Sequence, residues 1–200
     1  MYFEREVCVE REMGQGPSGP CGVQGWNPCE RKTINISELT LVQTRLNALI
    51  GQPLTHVGRA ADMLTLAFGR YALHIQCYYR LTEQGRTILA RNDVYQPSEA
   101  MWSMWRVMGY EEDYIPEDFH SDDEGCNRLD EAIDRLNADL DGLTVRTAMI
   151  NQLGDLTMVF TCGATLTVMA DTSGGEECWR FFEEDDMTHL VVYGDGAELE

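Results

Sequence analysis

The stretch Met63-Leu64-Thr65-Leu66-Ala67-Phe68, followed by a short turn and Leu73-His74-Ile75-Gln76, decides the fold. Apolar and polar residues alternate in both arms, which is the period of half-buried strands, and the turn makes them a hairpin. The plan returns as Leu156-Thr157-Met158-Val159-Phe160, a turn at Gly163, and Leu166-Thr167-Val168-Met169. A glycine turn and an apolar segment precede each copy: Gly51, Leu54 and Val57 in the first, Gly142 and Val145 in the second. Strand-like runs follow each copy, at 87–91 after the first and at 178–182 and 189–193 after the second. Repetition of this kind predicts a duplicated β-meander.

Three helices complete the pattern. Residues 37–49 place Leu39, Val42, Leu46 and Leu49 at helical spacing behind a Ser37 cap, and Gly51 and Pro53 stop the run. Ser98 caps a second helix carrying Met101, Trp102, Trp105 and Met108, which Gly109 ends. The third spans 127–140 and sets Leu129, Ile133, Leu136 and Leu140 on one face. The fold class is therefore α+β: two antiparallel β-meander half-repeats and three helices packed as one compact unit. Four segments are expected. Residues 1–36 hold an N-terminal strand and a Gly/Pro/Cys loop, and 37–97 the first helix and repeat. Residues 98–140 form a helical, acidic connector, and 141–200 the second repeat.

Charge divides the chain unevenly. Residues 1–100 carry ten acids and ten bases, whereas residues 101–200 carry 24 acids and five arginines, so the second half holds the whole net charge of −19. A one-sided field disfavours nucleic acid and anionic membranes and favours a basic protein partner. Seven irregularly spaced cysteines do not form a secreted disulfide framework. The N-terminus is charged from Glu4 onward and lacks an apolar leader core, so the expected location is cytoplasmic. No cofactor is implied. Cys8, Cys21 and Cys29 have the wrong spacing for a zinc knuckle. The run His120, Asp122, Glu124, Gly125 and Glu131 approaches a calcium loop but has His for Asp at its first position and Arg128 at its ninth. Nucleotide-binding, nucleophile-elbow and zinc-protease motifs are absent from the sequence.

Two surfaces are candidates for function. Residues 111–124 hold eight acids and no base, interleaved with Tyr114, Ile115 and Phe119. Apolar anchors ringed by carboxylates suit an Arg/Lys-rich groove. The partner-binding candidates are Glu111, Glu112, Asp113, Tyr114, Glu117, Asp118, Phe119, Asp122 and Asp123. The bland alternative is a solvated loop between helices. The second surface is the run 73–80, read as one strand with Leu73, Ile75, Cys77 and Tyr79 inward and His74, Gln76, Tyr78 and Arg80 outward. With Arg59, Asp62, Asp93 and Tyr95 nearby, the outward side is a candidate ligand or catalytic face. Its bland alternative is a covered sheet face held by Arg59–Asp62 or Arg80–Asp93 pairs.

The segment GRAADM, ALHIQCYYRL and NDVYQP, within residues 45–98, resembles a group of uncharacterised bacterial proteins, mostly from Gram-positive gut bacteria. They share GRAxxM, then LHxQC, then DxYxP. The resemblance implies a compact bacterial or phage-borne domain and marks Arg59, Met63, His74, Gln76, Arg80, Asp93, Tyr95 and Pro97 as motif positions. In general plan the chain also looks like toxin-immunity proteins and anti-CRISPR-type inhibitors. The reading is thus a non-enzymatic acidic protein that neutralises a basic, nucleic-acid-binding partner such as a nuclease. A small-molecule-binding protein or enzyme using the His74 face is the alternative. Self-association through an exposed Trp102/Trp105 stripe is a third.

Overall fold

A computed structural model describes residues 34–111, 114–117 and 119–200 of the chain. The expected N-terminal strand at 2–12, which carries Cys8, the Gly/Pro loop at 13–29 with Cys21, Trp26 and Cys29, and Glu112, Asp113 and Asp118 lie outside the described residues.

Helix α1 (Ile36–Leu46) starts one residue before the expected cap. Asn35, rather than Ser37, caps it, accepting from the Ser37 and Glu38 amides, while the Glu38 carboxylate bonds back to the Asn35 amide at 3.0 Å. This reciprocal box satisfies amides that a helix end leaves open. A short 3-10 turn, Asn47–Leu49, extends the helix. The first repeat then gives β1 (His56–Ala60), β2 (Met63–Phe68), β3 (Tyr71–Ile75), β4 (Tyr78–Glu83) and β5 (Arg86–Ala90). After a 3-10 turn at Arg91–Tyr95 comes α2 (Glu99–Met108), capped by Ser98 and ended by left-handed Gly109, as expected. Helix α3 (Arg128–Ala138) is capped by Asn127. The second repeat gives β6 (Val145–Ile150), β7 (Leu156–Phe160), β8 (Thr165–Met169), β9 (Glu177–Glu183) and β10 (Leu190–Tyr193). A last strand, β11 (Gly196–Leu199), follows and pairs with β10.

The fold is α+β, with two antiparallel sheets and three α-helices among the described residues. The repeats do not each build a sheet, however. One sheet has the order β1-β2-β3-β9-β10-β11 and the other β5-β4-β8-β7-β6. Each repeat lays a three-stranded meander in one sheet and sends its following hairpin into the other. Registers make the two copies equivalent. Ile75 faces Trp179 and Leu73 faces Phe181 in the first sheet, as Val168 faces Tyr79 and Leu166 faces Leu81 in the second. Tyr79 and Trp179 therefore occupy matching positions, and both are fully buried. Their polar tips are satisfied in matching ways. Tyr79 Oη donates to the Asp62 carbonyl at 3.4 Å and Trp179 Nε1 to the Gly154 carbonyl at 2.8 Å, each in the first hairpin turn of its own repeat. The segments leading into β1 and β6 also pair with each other, through Leu54 N to Leu143 O and Val145 N to Gln52 O.

The helices close the sides. Helix α1 packs on β6 and β11, and α3 on β1 and β5, so each covers edge strands of both sheets. Covering an edge removes the unpaired amides that would otherwise recruit other strands. Apolar residues of both sheets, α1 and α3 merge into one core that includes Leu46, Phe68, Tyr79, Leu129, Phe160 and Trp179. This excludes two separate subdomains within the described residues. None of their helices is long and apolar enough to cross a membrane.

The run 73–80 needs correction. It is two strands in two different sheets, β3 and β4, with the change at Gln76 and Cys77. Both of those amides donate to the Cys178 carbonyl, at 2.9 and 3.0 Å. Burial still alternates through the break, with Leu73, Ile75, Cys77 and Tyr79 inside. The inside of one sheet is also the inside of the other, so a period-two pattern runs on unbroken while the chain changes sheets.

Candidate functional site

Residues 91–127 stand outside the duplicated plan, between the last strand of the first repeat and the helix of the second. They carry α2 and the acidic loop. The excursion closes on itself. Pro97 bridges Asn127, Ser98 N donates to Cys126 O at 2.9 Å, and Arg128 N to Gln96 O at 2.7 Å. Asn127 is fully buried at this clamp. Its Oδ1 accepts from Asp130 N, capping α3, while its Nδ2 donates to Ser121 O at 2.9 Å and holds the loop.

Inside the excursion Trp105 is 4% exposed. It packs edge-on against Trp102 and Phe119, with ring centroids at 5.3 and 6.0 Å. The tryptophans expected as an exposed stripe thus hold α2 down. A different set faces out. Met104, Val107 and Met108 follow helical spacing and Val107 is 88% exposed. Tyr110, Tyr114 and Ile115 are exposed as well, and the two tyrosine rings stack at 5.6 Å. Glu111, Glu117, Asp122 and Asp123 of the same excursion are exposed too. Residues 98–127 hold nine carboxylates against one base, Arg106, and Arg106 is paired with Glu99. Of the sequence candidates, Tyr114 belongs to this exposed set, the described carboxylates are exposed on the same excursion, and Phe119 packs on Trp105. Sequence reading missed Met104 and Val107, because the stripe it followed, Met101, Trp102, Trp105 and Met108, centres on the face that buries Trp105, and of its members only Met108 is exposed.

The second candidate face is not assembled. His74 and Arg80 belong to different sheets, and Arg59, Asp62 and Asp93 are engaged elsewhere. Arg59 forms a two-pronged pair with Asp130 of α3 and donates to the Ala61 carbonyl at 2.9 Å. Asp62 pairs with Arg91, and Asp93 Oδ2 accepts from Ala90 N at 2.8 Å. The expected Arg59–Asp62 and Arg80–Asp93 pairs are replaced by these. Tyr95 is exposed, and Gln76 lies beside Glu177. A cleft of about 480 Å³ between β1 and α3 is lined by Arg59, His56, Asp122, Glu124 and Asp134. With Arg59 already neutralised, it offers no free cation to an anionic ligand.

What His74 does meet is a small cluster. Its ring is edge-on to Phe182 at 4.9 Å, and His189 stacks on Phe182 at 4.4 Å. Arg180 lies opposite His74 in the register, reaches His189 Nδ1 at 3.2 Å and pairs with Glu177. Burial pushes the His74 imidazole below its ordinary value, with the Arg180 guanidinium adding to the effect. The fold thus prefers neutral His74, and the stability this gives is present above about pH 6.5 and lost as pH falls through the folded value. Thermal melts from pH 7.5 to about 5 are expected to fall more steeply for the wild type than for His74→Gln. Parallel curves would remove His74 as the cause.

Comparison with protein-family models, with curated proteins and with solved structures finds no match to the chain.

Proposed function

We propose that the chain is a non-enzymatic binding protein whose 98–127 excursion docks on a basic, nucleic-acid-binding protein and neutralises it, in the manner of an immunity protein or phage-borne inhibitor. The observation that carries the reading is the exposed apolar set Met104, Val107, Met108, Tyr110, Tyr114 and Ile115 on a carboxylate-rich segment that the duplicated core does not use. Clustered exposed apolar side chains mark contact surfaces, and nearby charge selects the partner and speeds the encounter. Carboxylates flanking stacked aromatic rings also present the charge and planar surface of a nucleic-acid strand to a basic channel. A second copy of this chain is a poor occupant, since it would bring nine carboxylates against nine.

Affinity capture from a bacterial lysate tests the reading. A basic protein held by the wild type is expected to be lost by the Val107→Ser/Tyr114→Ser double variant, which should keep the wild-type melting temperature because both side chains are exposed. Equal capture by the two proteins would contradict it.

A further inference from the structure

The change of sheet between β3 and β4 brings together two cysteines that have no part in the docking surface. Gln76 and Cys77 form a bulge in which two residues oppose one, and that one is Cys178 at the start of β9. Cys77 N to Cys178 O is 3.0 Å. Both side chains belong to the core, at 2% and 0% exposure. Residues opposed on neighbouring antiparallel strands have Cα atoms about 4.5–5.5 Å apart, inside the range of about 4.4–6.8 Å that a disulfide spans.

From this juxtaposition we propose that Cys77 and Cys178 are a redox pair that a small hydroperoxide converts to a disulfide, locking the point where the two repeats exchange strands. The two thiols have different roles. The Cys77 thiol, together with the backbone amides of Thr172 and Asp171, holds the Cys178 thiol below its ordinary value, whereas the Cys178 sulfur and burial push the Cys77 thiol up. Cys178 is the nucleophile, because the thiolate is the reactive form. Its sulfur attacks hydrogen peroxide, forming the S–O bond of a sulfenic acid and releasing hydroxide as the O–O bond breaks. The Cys77 sulfur then attacks that sulfenic sulfur, the S–S bond forms, and the Cys77 proton and the hydroxyl leave as water. One peroxide is reduced to two oxygens at the level of water, and two thiols are oxidised. Burial restricts the pair to oxidants of about the size of water and screens it from bulky disulfides. Cys162, which is exposed, is the internal control.

The test treats the full chain with hydrogen peroxide in steps, blocks residual thiols, and maps cysteines by peptide mass spectrometry without reduction. Linked Cys77 and Cys178 peptides are expected before Cys162 is oxidised, with a melting temperature raised by about 5–10 °C and returned by reductant. In Cys77→Ser, Cys178 is expected to accumulate as sulfenic or sulfinic acid; in Cys178→Ser, Cys77 is expected to stay a thiol. Oxidised Cys162 with Cys77 and Cys178 still free, or Cys178 linked to another cysteine, would overturn the proposal. Because the wild-type mapping decides this by itself, a variant that fails to fold leaves the result readable.

Discussion

Asp130→Ala is expected to cost about 3–5 kcal/mol of folding stability, measured by urea unfolding. The Arg59 and Asp130 side chains are 9% and 10% exposed, so removing the carboxylate leaves a guanidinium charge with almost no water to solvate it. The loss extends beyond the pair. Asp130 Oδ2 also accepts from Gly125 N at 2.8 Å, at the end of the acidic loop, and the pair ties β1 of the first repeat to α3 of the second. Asp122 and Glu124, which line the same cleft, favour the charged form of Arg59 further. Arg59→Met combined with Asp130→Leu is expected to recover most of the loss, because no charge is then stranded. A single variant as stable as the wild type would mean that the pair is not the strut described.

The second large effect concerns binding. Changing Glu111 and Glu117 to Gln and Asp122 and Asp123 to Asn is expected to weaken capture of the basic partner by about ten- to a thousandfold, chiefly through slower association. All four side chains are exposed, so stability should stay within about 0.5 kcal/mol of the wild type. The two effects separate cleanly. Asp130 holds the excursion to the core, whereas the four carboxylates face outward from it.

How far the chain can be read without coordinates follows from where its information is local. The β2–β3 and β7–β8 hairpins, the Ser98 cap and the Gly109 stop were legible because alternation and caps act over a few residues. The exchange of hairpins between sheets was not. Between Ile75 and Tyr78 there is no glycine or proline, and the inward residues keep their alternation across the break. The pairing of Arg59 with Asp130, 71 positions on, is likewise set by packing of α3 on β1 rather than by spacing. Proximity in sequence suggested Asp62 instead, and Asp62 lies in a tight turn where it meets Arg91. The acidic character of 111–124 was plain in the sequence. That this segment is an excursion clamped at Pro97 and Asn127, with Val107 pointing out, needed the fold.

The central claim is that this excursion binds a basic protein through its charge and apolar anchors. Its most direct test is titration of the captured partner against the wild type and the four-carboxylate variant, at about 50 mM and about 300 mM salt, where the screening length falls well below the size of the patch. The account predicts tight binding by the wild type at low salt, at least tenfold weaker binding at high salt, and weak, salt-insensitive binding by the variant. Equal affinity of the two proteins, unchanged by salt, would contradict it.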